Sequence, residues 1–394
     1  MSNVDNSDLK LKISPRQAQD AIVYAPKRDA VMLVSPPGTS KSTMTCCAAR
    51  RTGETYLPLY TATQEASDIR LPYVEDDTES GLKLAKWAIT SMLPLEALKS
   101  RYGKEERFLV NFDDFPHSAP SVMRPFVRSI YGDGKERVLA EFPILDRVRF
   151  VLTGNRESDR AGANRLDTYI ANRIVIFEIE PNVDEWVTGA INGFPMPAFD
   201  EGYAEMRARI DNAVASGLPD EIVAYPRWTK YIHNFSTETR SFMSPRSLEQ
   251  LGRFIRAYET AGLGDEIIAA AAAGTLGDAE GMKFMAFRKL RDKLPDVGAI
   301  LRGESVPLPA STEILYILAT SILRAAKVEH VKACAKFLLR LSAVGAADGM
   351  PVGVEVSAYF VHECRHGASQ ALQEVFSQPE MLKWIQRNGS YFID

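Results

Sequence analysis

The stretch Ala30-Val31-Met32-Leu33-Val34-Ser35-Pro36-Pro37-Gly38-Thr39-Ser40-Lys41-Ser42-Thr43 decides the reading of this chain. Ala30–Val34 is an apolar run of strand length, and a helical pattern from Met44 to Arg51 follows the loop at once. Strand, glycine-containing loop and helix in that order are the context a phosphate-binding loop requires. Backbone N–H groups of such a loop converge on phosphate oxygens, and the helix N-terminus adds partial positive charge. Pro37, Gly38, Thr39, Ser40, Lys41, Ser42 and Thr43 are therefore the candidate nucleotide-binding residues. Lys41 is expected at the β- and γ-phosphates and the Ser42 hydroxyl on Mg²⁺. The general pattern has glycine at its first and sixth positions, where this chain has Ser35 and Ser40. Both are small, so close backbone approach is retained. The competing reading, a surface turn with a chance lysine, does not explain the strand before it and the helix after it.

Outward from that loop, four more short apolar runs follow: Tyr56–Tyr60, Phe108–Phe112, Val148–Thr153 and Ile174–Ile179. Connections with helical patterning, such as Ser42–Arg51 and Val122–Ile130, separate them. Strands alternating with helices imply a mostly parallel sheet covered on both faces. Before them, residues 1–13 read as a polar arm, and Ser14-Pro15-Arg16-Gln17 reads as a helix start with a capping box. After Pro181 the strand signal fades. Helical patterns appear at Asp184–Ile191, Ala204–Ala215, Leu248–Ala261, Asp265–Ala273 and Met282–Lys293, then near Thr312–Ala326, His330–Leu341, Val356–Phe376 and Pro379–Arg387. The expected organisation is an α/β domain over 1–182, a helical lid over 183–305 and a helical C-terminal region over 306–394.

Length and composition bound the function classes. At about 100–200 residues per domain, 394 residues predict two or three domains. Hydrophobic residues are 45% and charged residues 25%, the mix of an ordinary globular chain. Lys+Arg 47 against Asp+Glu 51 leaves a net charge of −4, so the polycationic surface of nonspecific nucleic-acid binding is absent and only a local basic groove remains open. The four cysteines, Cys46, Cys47, Cys334 and Cys364, form no Cys-x-x-Cys pair and are expected reduced. No apolar run reaches membrane-spanning length and no signal-peptide core opens the sequence, which leads to a cytoplasmic expectation.

The ends of the later strands carry further motifs. Phe108-Leu109-Val110-Asn111-Phe112-Asp113-Asp114 is an apolar strand ending in two acids, the form of a Walker B segment. Thr153-Gly154-Asn155 ends the next strand, as a sensor 1 does, and Ser244-Pro245-Arg246 opens a later helix, as a sensor 2 does. In that order and at those distances, residues 14–300 resemble AAA+ ATPases, most closely the MoxR-like branch and its dynein-related relatives. The resemblance implies a five-stranded P-loop sheet between helices, an all-α lid, ATP and Mg²⁺ as cofactors, and a ring, expected to be a hexamer, that remodels or chaperones a partner protein. Partners in that family often carry a von Willebrand factor A domain. It implies Asp113 beside Ser42 as the Mg²⁺ residues and Asp114 as the acid that polarises the attacking water, in a position the family usually fills with glutamate. Asn155 would orient that water. Arg246 would point back at the phosphates, and Arg173 would reach a neighbouring subunit's site, with Arg156, Arg160 and Arg165 crowding the same region. Segment 61–80 lies where the branch carries a pore-facing insertion, although its acidic end also reads as a solvated loop. His117, four residues past Asp113, reads as a loop residue near the site.

Two other classes stay in view. Ser35, Ser40 and Asp114 would also suit a nucleotide-dependent assembly or scaffold protein with little turnover. His362-Glu363-Cys364-Arg365-His366 matches the zincin string H-E-x-x-H. The apolar stripe Val356, Phe360, Cys364, Ala368, Ala371, Val375 lies about 200° round the helix from both histidines, which places them toward solvent and against a catalytic zinc.

Overall fold

The structure, a computed structural model, describes residues 11–69, 71–88, 90–131, 136–139, 141–159, 164–236, 239–345, 352–366 and 370–388. The described residues form two compact units. One takes in 11–218 with His233–Met282, and the other takes in Pro219–Ile232 with the described residues from 283 onward. These seams differ from the boundaries at 182 and 305 expected from the sequence.

The first unit is built on a parallel sheet of six strands. Its order is Lys12–Ile13, Ile174–Ile179, Ala30–Ser35, Val148–Asn155, Phe108–Asp113, Thr55–Tyr60. The five apolar runs are thus all strands. The sixth corrects the reading of residues 1–13 as a polar arm and of the sheet as five-stranded: Lys12 and Ile13 pair with Glu178 and Ile179. Two residues carry too little pattern to be seen alone; only Ile13 is buried, and its partner strand supplies the pairing. The Ala30–Ser35 strand is buried throughout, as expected for a parallel strand with helices on both faces. The connection from it to Thr55–Tyr60 crosses two intervening strands, which leaves a crevice at the C-terminal ends of Ala30–Ser35 and Val148–Asn155.

One face of the sheet carries the aromatic core. Phe112 stacks on Phe150 at 5.3 Å and meets Phe126 of the Pro120–Ile130 helix at 4.6 Å. Val122, Met123, Met32 and Val34 complete that layer. At the base of the sheet, Arg149 and Glu54 form a buried two-pronged pair, with Nε–Oε1 at 2.8 Å and Nη2–Oε2 at 2.6 Å. Burial alone would raise the Glu54 carboxyl, but the Arg149 guanidinium holds it below the ordinary carboxylate range.

The capping box read at Ser14 and Gln17 is present and starts the Pro15–Val23 helix. The five consecutive alanines Ala269–Ala273 lie inside the Asp265–Leu276 helix, and their small side chains have a packing reason. All of Ala269–Ala273 is buried. A Cβ added at Gly274 would stand 2.0 Å from the Ile176 carbonyl oxygen, so this helix rides directly on the backbone of the Ile174–Ile179 strand. Backbone cannot yield as a flexible side chain can. Gly274→Ala is therefore expected to lower stability by about 3 kcal/mol or more, in the upper range of overpacking effects. Urea unfolding followed by circular dichroism checks it; a midpoint within error of the parent would show that the helix can move away without cost.

The second unit is helical: Asp220–Thr229, Val297–Leu301, Thr312–Ala325, Val331–Leu341, Val352–His366, Gln370–Gln373 and Pro379–Asn388. The Asp220–Thr229 helix escapes the sequence reading because Pro226 sits inside it. Within the helix expected over Val356–Phe376, Val352–His366 and Gln370–Gln373 are helical and Glu374–Ser377 is a 3₁₀ turn; 367–369, with the stripe residue Ala368, lie outside the described residues. Among the described residues no helix is long and apolar enough to cross a membrane.

Candidate functional site

The loop after Ala30–Ser35 turns through two left-handed residues, Gly38 at φ 81° and Ser40 at φ 61°. Ser40 takes up this conformation although serine is not at ease there, which explains why the general pattern has glycine at this position. Ser35, in the place of the first glycine, is fully buried. Its hydroxyl contacts the Thr39 hydroxyl and accepts from Lys41 Nζ at 3.1 Å. The Lys41–Thr52 helix begins at the lysine itself. Pro37, Gly38, Ser40 and Thr43 are exposed around that start.

Lys41 is 8% exposed, and its ammonium donates to Asn155 Oδ1 at 2.9 Å. Burial lowers its pKa, while the charges of Asp114, Asp113 and Asp159 oppose that shift. Ser42 Oγ lies 2.8 Å and 3.0 Å from the two carboxylate oxygens of Asp113. Strand register delivers these groups. Ser35 pairs with Asn155 and Phe112 with Leu152, so both strands end level with the loop. The structure thereby brings Lys41, Ser42, Asp113 and Asn155, residues 114 positions apart at the extremes, into one cluster. Asp114 follows at φ 52°, its side chain 53% exposed. A hydroxyl and a carboxylate in contact, both oxygen donors, are a fitting pair for a hard divalent cation such as Mg²⁺.

Four residues of the site have no role in the motif reading. Thr153 donates its hydroxyl to Asp113 Oδ1, and Thr61 donates to the Asp113 carbonyl at 3.0 Å. His117 stands with Nδ1 3.8 Å from Asp114 Oδ1 and Nε2 3.5 Å from Asn155 Nδ2. Gly154 has a direct role: an added Cβ would meet Pro116 at 2.4 Å, so its bare backbone lets the Phe115–His117 turn close on the strand end. The Asp-Phe-Pro-His spacing, with a proline-containing turn between the acid and the imidazole, was the available signal for His117.

The arginines distribute differently from the expectation. Ser244 does cap the Pro245–Ala261 helix, but its hydroxyl donates to Asn172 Oδ1 at 2.8 Å. Gln250 donates to the Arg173 carbonyl at 3.1 Å, and Arg253 pairs with Asp29 at 2.6 Å. These partners precede the strands Ile174–Ile179 and Ala30–Ser35, whereas Lys41 follows the latter. Six residues of strand separate the two levels by about 17 Å at roughly 3.3 Å per residue. Arg246 lies over the Tyr131 ring at 5.4 Å, and the structure does not bring it to the Lys41 cluster. The Ser-Pro-Arg string fixes where the helix starts and says nothing of which end of the sheet it starts at. Arg173, half-buried, lies at the same edge, over the Tyr169 ring at 5.8 Å with Nη1 donating to the Tyr169 carbonyl at 2.6 Å. Arg156 is clamped by Asp159 and Glu178, and Arg165 donates to the Thr239 carbonyl at 3.1 Å. Arg160 lies outside the described residues.

Segment 61–80 is neither a simple loop nor a helix. It holds a turn, the short Ala66–Ile69 helix and the first strand of an antiparallel hairpin, Pro72–Asp76 with Lys83–Trp87. Every strand residue of the hairpin is exposed except Trp87. At the C-terminal H-E-x-x-H string, His362 is 58% exposed and its ring lies 4.9 Å from that of His366. The Glu363 carboxylate is engaged by Arg227 Nη2 at 2.7 Å. Among the described residues no three His, Cys, Asp or Glu side chains gather as a metal site.

No family model matches the sequence, and no curated protein does. Among solved structures, the chain is similar to one from Cytophaga hutchinsonii described as a "putative ATPase", at 11% identity and a TM-score of 0.43, over 76% of this chain and 92% of that one. The cluster geometry stands independently of that likeness.

Proposed function

We propose that the chain is a Mg²⁺-dependent ATP hydrolase of AAA+ type. The observation that carries the reading is the Lys41–Asn155 and Ser42–Asp113 pairing at the ends of adjacent parallel strands. It sets a buried cation and an oxygen-donor pair side by side. Phosphoryl transfer needs charge neutralisation and alignment more than covalent help, and these groups supply both. Lys41 binds the β/γ-phosphates, Ser42 and Asp113 hold Mg²⁺, Asp114 accepts the proton of the attacking water, and Asn155 orients that water. The bound cation would neutralise phosphate charge. The MoxR-like subtype, a hexameric ring and remodelling of a partner protein, with a von Willebrand factor A partner among the candidates, belong to the same proposal and are supported by the motif order alone.

Arg173 and Arg246 share the edge of the sheet away from Lys41, so the proposal assigns them to a neighbouring copy's site. An arginine supplied in trans contributes on the order of 10³-fold or more in turnover. Arg173→Ala is expected to keep ATP binding and lose turnover to that degree. Mixing it with Lys41→Ala protein is then expected to restore activity, since hybrid interfaces unite an intact loop with an intact arginine. Steady-state phosphate release measures this; no recovery in rings shown to be mixed would argue against action in trans. The scaffold reading keeps its own test: nucleotide binding without release of phosphate under saturating ATP favours it.

A further inference from the structure

Asp114 is one methylene shorter than the glutamate expected at its position, and His117 is the group the structure sets beside it. We propose that His117 is a positioning residue, joining Asn155 to Asp114 in a hydrogen-bonded relay that sets the carboxylate for the attacking water. This rests on the hydrolysis reading above.

The direction of each contact follows from donor and acceptor chemistry. The Lys41 ammonium only donates, so the oxygen of the Asn155 amide faces it at 2.9 Å. The Asn155 amide nitrogen, which only donates, is then turned to His117 Nε2 at 3.5 Å. In the relay Nε2 accepts and the ring carries its proton on Nδ1. That nitrogen faces Asp114 Oδ1 at 3.8 Å. The separation exceeds hydrogen-bond range, and such contacts in ligand-free enzymes tighten in the substrate complex.

The local fold holds the three groups near this arrangement. The left-handed Asp114 turns the chain, and the His117 N–H closes the turn on the Asp114 carbonyl at 2.9 Å. Phe115 is fully buried, and Pro116 sits against Gly154, one residue before Asn155. The His117 side chain is 17% exposed. Among the charged groups of the described residues, Asp114 faces it directly, Lys41 lies beyond Asn155, and Glu157 and Arg165 line the same cavity as Pro116 and Asn155. Asp113 is turned to Ser42 and Thr153, and Arg156 is held by Asp159 and Glu178. The Thr61–Thr63 turn packed against Phe115–His117 brings no titratable side chain.

In the step served, the water oxygen bonds to the γ-phosphorus. The bond from that phosphorus to the bridging oxygen of ADP breaks, and the oxygen leaves with the electron pair. The water proton passes to Asp114. A proton on Nε2 would aim an N–H at the Asn155 N–H and break the relay.

The test compares His117→Ala and His117→Gln with the parent. His117→Ala is expected to bind a fluorescent ATP analogue within about threefold of the parent and to lose about 10- to 100-fold in kcat. His117→Gln keeps a donor and an acceptor, and it is expected to recover part of kcat. In the parent, ring-nitrogen NMR is expected to show a neutral, Nδ1-protonated histidine whose signals vanish in His117→Gln, a readout that does not depend on a variant's stability. Unchanged kcat in His117→Ala, no recovery of kcat in His117→Gln, or an Nε2-protonated ring would overturn the relay while leaving hydrolysis intact. A parent that fails to bind ATP, or binds it without turnover, overturns the hydrolysis reading itself and the relay with it.

Discussion

Lys41→Ala is expected to raise the Kd for ATP by roughly a hundredfold or more, about 3 kcal/mol. The lysine is the one cation the loop holds against Ser35 and Asn155, and its charge is kept at some cost, since burial lowers its pKa. Such a group is maintained where a polyanion needs neutralising. Its removal leaves the Ser35 hydroxyl, the Asn155 amide oxygen and the Ser35 and Pro36 carbonyls as acceptors that water can satisfy, so the fold should survive. Titration of a fluorescent ATP analogue against parent and variant, with melting followed in parallel, separates lost binding from lost structure. Unchanged affinity would show that the 36–41 loop is not the nucleotide site.

The α/β core was legible because each of its five long strands is a compact apolar run, and the capping box at Ser14 fixed a helix start without help from the rest of the chain. Legibility ended where tertiary contact decides. Ile13 becomes a strand residue only because Ile179 is there to pair with it. The Pro72–Asp76 and Lys83–Trp87 hairpin buries no apolar face that would have left an alternating pattern. Within the site, acids and amides at strand ends were readable because parallel register brings strand ends together. Thr153 was read only as part of the Thr153-Gly154-Asn155 strand end and given no role, because its partner Asp113 lies 40 positions away. Arg246 shows the converse: a sound local motif, Ser-Pro-Arg, gave a correct helix start and the wrong end of the sheet.

The two acids at the strand end should differ in kind. Asp113 is 8% exposed, and its carboxylate accepts from both Ser42 and Thr153. An asparagine there loses one acceptor oxygen to an amide that can only donate, so Asp113→Asn should weaken Mg²⁺-dependent ATP binding and lower stability together. Asp114 is half exposed at φ 52°, a left-handed position that aspartate and asparagine occupy far more readily than glutamate. That conformation is a physical reason for the shorter acid here, and it makes Asp114→Asn a clean replacement, since the backbone has no cause to move. The substitution removes only the proton acceptor. It is expected to leave the Kd for ATP within about threefold and to lower kcat by about 10²- to 10⁴-fold, the span of a lost general base. Fluorescent-analogue titration and phosphate release, measured on both variants with and without Mg²⁺, supply the comparison. Equal loss of binding in Asp113→Asn and Asp114→Asn would end the division of labour, and full turnover in Asp114→Asn would move the proton acceptor elsewhere.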